Sequence, residues 1–100
     1  MAFEKVATID EINPAKYVSC LGKELALFSV KGKIYCISNT CTHIGGPLAE
    51  GHLEGNIVTC PWHSAQFDVI TGKALRPPAQ SDVKSYTVKV EDNDVYVNID

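Results

Sequence analysis

The sequence has no concentration of positive charge. Nine lysines and arginines are scattered among twelve acidic residues, giving a formal net charge of −3. Such a surface has no stripe to hold a polyanion, so nucleic acid is excluded as a partner. A long apolar run is also missing. The longest, over residues 25–30, is strand-sized and far short of a membrane span. No apolar segment of signal-peptide type follows the first residues, so a soluble, cytoplasmic protein with no membrane association is expected. No glycine-rich phosphate-binding motif offers a seat for a flavin or a nicotinamide. Repeats and low-complexity tracts are absent, and 100 residues suffice for one domain with a small core. Histidine is scarce, with three in the chain, and there are four cysteines. Without a secretory signal, a framework of two disulfides is not expected from them.

Most of that cysteine and histidine is concentrated in two short boxes. Cys41-Thr42-His43 and Cys60-Pro61-Trp62-His63 each pair one thiol with one imidazole, and sixteen residues separate His43 from Cys60. Two thiolates and two imidazoles can hold one metal centre. A structural zinc site of zinc-finger type pairs like ligands, as C-x₂₋₄-C followed by H-x₃₋₅-H. Here each pair is mixed. That pattern points to a [2Fe–2S] cluster in which one iron takes both thiolates and the other both imidazoles. Two neutral histidines in place of two thiolates remove two negative charges. Reduction then costs less than in a four-cysteine cluster. Gly45 and Gly46 allow close approach of the backbone, with N–H groups aimed at the cluster sulfurs. Pro47, Pro61 and the pair Pro77-Pro78 stiffen the walls, which suits a centre that must reorganise little.

The rest of the chain reads as mostly β. Residues 3–7 form a first strand, and Thr8-Ile9-Asp10-Glu11 reads as a capping box opening one helical turn, stopped at Asn13-Pro14. Residues 17–20, 24–30 and 33–37 follow as strands, with turns near Gly22-Lys23 and at Lys31-Gly32. Residues 85–90 and 95–99 alternate with a period of two around the turn Glu91-Asp92-Asn93-Asp94. The expected organisation is one domain over 1–100, with a base from about 1–38 and 80–100 and a cluster-binding part over about 39–79. That middle part holds five of the seven glycines and four of the five prolines, and its strands are short. His52 is expected to be an exposed strand residue. Cys20 and Cys36 are expected to be free thiols, and Phe67 a core residue. Trp62 is balanced between core and docking tip.

The stretches Cys41-Thr42-His43-Ile44-Gly45-Gly46-Pro47 and Cys60-Pro61-Trp62-His63-Ser64-Ala65-Gln66-Phe67-Asp68 resemble the two cluster-binding boxes of the Rieske family. Thr71-Gly72 and Pro77-Pro78 fit the same pattern. The resemblance implies an all-β fold of antiparallel layers with one [2Fe–2S] cluster per chain at one tip. It implies that Cys41 and Cys60 ligate the inner iron and that His43 and His63 ligate the outer one. It also implies an electron exit at His43 and His63, surrounded by Ile44, Gly45, Gly46, Pro47, Leu48, Trp62 and Pro78, where partners would dock. Relatives in quinol-oxidising complexes carry an extra cysteine in each box. Here those positions are Gly46 and Trp62. Those relatives also place hydroxyls where this chain has Ala65 and Phe67. With fewer donors to sulfur, a midpoint of roughly −150 to 0 mV is expected. The resemblance implies a monomeric carrier, not an enzyme, passing electrons from a flavin reductase to a terminal aromatic-ring-hydroxylating oxygenase. The alternative is the small subunit of an NADH-dependent nitrite reductase or similar complex. The chain is not itself an oxygenase, because the oxygen-activating site needs two further histidines and a carboxylate, and His52 alone remains.

Overall fold

The computed structural model describes residues 3–40, 47–62, 65–76 and 81–99. Eleven strands form three antiparallel sheets among them. The first sheet orders β1 (Phe3–Thr8), β11 (Asp94–Asn98) and β10 (Val88–Glu91). The second orders β2 (Ala15–Cys20), β3 (Lys23–Val30), β4 (Lys33–Ser38) and β9 (Ser85–Tyr86). The third orders β5 (His52–Glu54), β6 (Ile57–Thr59), β7 (Gln66–Asp68) and β8 (Ala74–Arg76). The remaining regular elements are two 3₁₀ turns, Ile9–Glu11 and Leu48–Glu50. The all-β architecture expected from the sequence is therefore present. The box at Thr8 closes as expected, with the Glu11 carboxylate accepting the Thr8 N–H at 2.8 Å.

The run over residues 25–30, interrupted by Ser29, is hydrophobic at both parities because β3 is covered on both faces. Leu25 and Leu27 point into one core with Ala7, Ile34, Cys36, Val95 and Val97, between the first and second sheets. Ala26, Phe28 and Val30 point the other way, into a core with Leu48, Val58, Cys60, Ala65 and Phe67. Successive side chains of a strand face opposite sides, so one strand serves two cores only when both parities are apolar. The second sheet is thus the shared wall of the molecule.

Two turns are tight hairpins with both central residues at positive φ, Leu21-Gly22 at 50° and 80° and Lys31-Gly32 at 51° and 81°. That is the two-residue hairpin geometry, whose second position suits glycine. It corrects the first turn by one residue, since Cys20 pairs with Lys23 and the turn is Leu21-Gly22 instead of Gly22-Lys23. Residues 85–90 are not one strand. Ser85 and Tyr86 pair with Ile37 and Cys36 in the second sheet, whereas Val88 onward pairs with β11 in the first. The chain changes sheets at Thr87, whose carbonyl accepts the Asn98 N–H at 2.9 Å. Val95 and Val97 are buried as their alternation predicts, but Val90 is exposed, because β10 is an edge strand.

Candidate metal centre

Each box is a short loop whose two ends are tied together. Thr40 and Pro47, on either side of the first box, form an isolated antiparallel bridge. Asn39 reinforces it from inside. It is 9% exposed, the one polar side chain in the core of the described residues. Its carbonyl accepts the Leu48 N–H at 2.8 Å, and its N–H donates to the Glu24 carbonyl at 2.9 Å. Its side-chain Oδ1 accepts the Ala49 N–H at 2.8 Å. A buried amide is tolerated because these bonds replace the water it gives up. Asn39 therefore anchors the end of β4, where the first box begins, to the 3₁₀ turn where that box ends.

The second box hangs from the end of β6. The Cys60 N–H donates to the Ala65 carbonyl at 2.7 Å, closing the loop 61–64. Beside it, the Gln66 Nε2 donates to Thr59 Oγ1 at 3.2 Å. A third tie joins the residues on either side of 77–80, which lie outside the described residues. The Asp82 carboxylate accepts the Ala74 N–H at 2.8 Å, and the Val83 N–H donates to the Gly72 carbonyl at 2.8 Å. The three stems meet over one apolar cluster that contains Leu48, Cys60, Ala65, Phe67 and Val83. Gly51 allows this closeness. A Cβ there would lie 2.2 Å from the Thr59 carbonyl oxygen, so the exit of the first box presses on the stem of the second.

Of the four expected ligands, the structure describes Cys60. It is 2% exposed, at the edge of the apolar cluster. A thiolate in that place suits an inner, water-shielded iron of a sulfur-rich centre, so the donor fits the expected group. Cys41, His43 and His63 lie outside the described residues, as do Ile44, Gly45, Gly46 and Pro78. Ala65 and Phe67 are fully buried beside Cys60, and neither side chain offers a hydroxyl. Trp62, 48% exposed, stands at the surface of its loop and is not a core residue. Pro47 is partly buried. Leu48 is fully buried and packs beneath the first box, so it cannot form part of a docking face. The docking role expected of it is corrected accordingly.

The other chemistry-bearing residues stand apart. His52 is exposed on β5, with its Nε2 4.0 Å from Glu54 Oε2. Cys20 and Cys36 are free thiols at the other core. Burial pushes the Cys36 thiol up to about 12, which keeps it protonated and unreactive. Sequence reasoning missed Asn39, Gly51 and Asp82. No pattern separates a buried asparagine from a turn asparagine, and a glycine's near neighbour is known only from the fold.

Over residues 2–87 the chain matches the family model described as the Rieske [2Fe-2S] domain. It is 45% identical over 82 residues to the ferredoxin component of the naphthalene 1,2-dioxygenase system of Pseudomonas putida, covering 82% of this chain and 79% of that one. The ferredoxin of carbazole 1,9a-dioxygenase from Nocardioides aromaticivorans IC177 superposes with a TM-score of 0.92 at 29% identity, over 97% of both chains. A chain from a complex of reduced oxygenase and oxidized ferredoxin in carbazole 1,9a-dioxygenase superposes with a TM-score of 0.88 at 32% identity. That match covers 95% of this chain and 91% of that chain.

Proposed function

Because the chain belongs to the Rieske [2Fe-2S] domain family, we propose that it is a one-electron carrier of a multicomponent oxygenase system, not an enzyme in its own right. It takes electrons from a flavin-dependent reductase and delivers them to a terminal oxygenase of the aromatic-ring-hydroxylating type. The family's [2Fe–2S] cluster supplies a reversible one-electron site when bound. In this chain Cys41 and Cys60 would hold the inner iron and His43 and His63 the outer one, and the two histidines would be the electron exit. Residues 39–79 make the cluster-binding part, carried on a base of 1–38 and 80–100. The protein works as a cytoplasmic monomer, free to exchange partners. The relatives described above at 45% and 29% identity are ferredoxins of dioxygenase systems, which favours the carrier over a reductase subunit.

The observation that carries this reading is the convergence of the stems of the two boxes on one apolar cluster, with Cys60 buried at its edge. Three stems tied by hydrogen bonds would keep reorganisation small on a change of charge. Trp62 and Pro47 are the described residues that would meet a partner, a small apolar patch suited to weak redox encounters. Ala65 and Phe67 offer no hydroxyl, so these two positions add no donor that would favour the extra electron.

Film voltammetry on the holo-protein tests the reading. A single one-electron wave at roughly −150 to 0 mV is expected, with two irons and two labile sulfides per chain. A wave several hundred millivolts higher would contradict the assignment of Ala65 and Phe67. No wave after reconstitution with iron and sulfide would refute the carrier.

A further inference from the structure

A hollow in the described surface lies away from Cys60, the described residue of the boxes' ligand set. A cavity of about 380 Å³ opens between the β3–β4 turn and the β5–β6 turn, lined by Lys31, Lys33, Tyr35, Asn56 and Ile70. A second, of about 310 Å³, continues past Tyr35 and Ile70 to Tyr86, Thr87 and Val88. Tyr35 and Ile70 line both, so the two form one groove that crosses the seam of all three sheets.

The groove's charge is one-sided. Lys31 and Lys33 flank it, and among the described residues no acidic one lines either cavity, in a chain whose net charge is −3. Neither lysine is in an ion pair among the described residues. Glu54, the carboxylate next to the β5–β6 turn, faces His52 instead, at 4.0 Å. A third ammonium, that of Lys84, lies 4.9 Å above the Tyr86 ring at the groove's far end. The Tyr35 hydroxyl and the Asn56 side-chain amide have no hydrogen-bond partner among the described residues. The groove thus presents cations and polar groups along an apolar, aromatic floor, to which Ile70 contributes at 43% exposure.

Its position is equally informative. Asn56 and Cys60 bracket β6 at opposite ends, about 13 Å apart along an extended chain. Lys33 begins β4 and Asn39 follows its end, about 20 Å away. A short segment seated in this groove would lie about 13 Å of extended chain from Cys60.

We propose that this groove docks an acidic segment of a protein partner, gripping its carboxylates with Lys31 and Lys33 while an apolar side chain between them packs on Tyr35 and Ile70. The groove is long and open, built for an extended chain rather than an enclosed small molecule. Held there, a partner keeps the carrier at high local concentration while its electron exit stays free to turn over. The partner's nature rests on the carrier reading, but the grip itself does not, because it is read without electron transfer.

The test titrates ¹⁵N-labelled holo-protein with a synthetic peptide of four glutamates around one leucine, at low salt. Saturable shifts are expected at the amides of Lys31 to Lys33, Gly55, Asn56 and Ile70. Lys31→Glu with Lys33→Glu should weaken binding by about tenfold or more, because it reverses both gripping charges. Lys23→Glu with Lys73→Glu makes the same charge change elsewhere and should weaken it far less. Both pairs lie on exposed positions, and an unchanged midpoint potential and circular dichroism spectrum will show that the fold is intact. Shifts spread evenly over the lysines, or equal weakening by the two double variants, would reduce the binding to bulk charge and overturn the proposal. Benzoate reproducing the groove shifts while the peptide does not would overturn it too, in favour of a small-carboxylate site.

Discussion

At the scale of single residues, the stems of the boxes are set by contacts that one atom can break. Gly51 has φ of −77°, which any residue adopts, so only space forbids a side chain there. Gly51→Ala drives a Cβ against the Thr59 carbonyl and must displace the strand end that carries Cys60. We expect a loss of about 1–3 kcal/mol by urea denaturation, together with less iron retained per chain. Asn39→Ala deletes the acceptor of the Ala49 N–H and leaves that donor partly buried without it. About 1–2 kcal/mol should be lost. Ala65→Ser and Phe67→Tyr each supply a hydroxyl beside the second box. Either should raise the midpoint potential, on the order of tens of millivolts, in film voltammetry. No change in the double variant would mean that these positions do not reach the cluster.

Cys36 gives a pH dependence of defined sign. Burial raises its thiol from 9.0 to about 12, so the folded state holds a proton that the unfolded chain releases earlier. The associated stability is complete below about pH 9 and is lost as the pH rises toward 12, at up to about 1.4 kcal/mol per pH unit. Tyr86, also raised by burial and by the neighbouring Cys36, acts in the same direction. Wild type should therefore lose stability more steeply than Cys36→Ala between pH 9 and 11 in urea titrations. Parallel slopes would remove Cys36 from the account. At neutral pH, Cys20, which is partly exposed, should react with iodoacetamide in the folded protein well before Cys36.

At the scale of elements, the sequence was legible where a local rule suffices. The boxes stand out because residue type and spacing define a ligand set without any knowledge of the fold. Lys31-Gly32 was legible because a two-residue hairpin turn favours glycine at its second position. The break at Thr87 was not. Tyr86, Val88 and Val90 keep strict alternation through it, and which sheet each half joins is decided by partners distant in sequence. Leu48 misled for the same reason. Its neighbour Pro47 lies nearer the surface, and only the Asn39 to Leu48 hydrogen bond shows that the chain turns inward there. β3 was read as a strand from its composition, but its double burial emerges only with the third sheet in place. Leu27 and Phe28 sit in different cores. Leu27→Ala and Phe28→Ala should each cost about 2–5 kcal/mol in chemical denaturation, and Phe28→Ala should be the one that also loosens iron retention.

At the scale of the whole molecule, the shared wall ties the two cores into one cooperative unit, so fluorescence of Trp62 and far-UV circular dichroism should report a single coincident unfolding transition. The loops themselves sit differently. Each starts and finishes within one hydrogen bond of a fixed frame: Thr40 against Pro47, Cys60 against Ala65, and Ala74 against Asp82. A segment fastened at both ends in that way is an interchangeable cartridge. Its contents can be rewritten by mutation without disturbing the register of any strand outside it. The scaffold therefore lets the inserts vary while the sheets hold the fold, with Ala65 and Phe67, at the foot of the second insert, tuning the centre from the scaffold side.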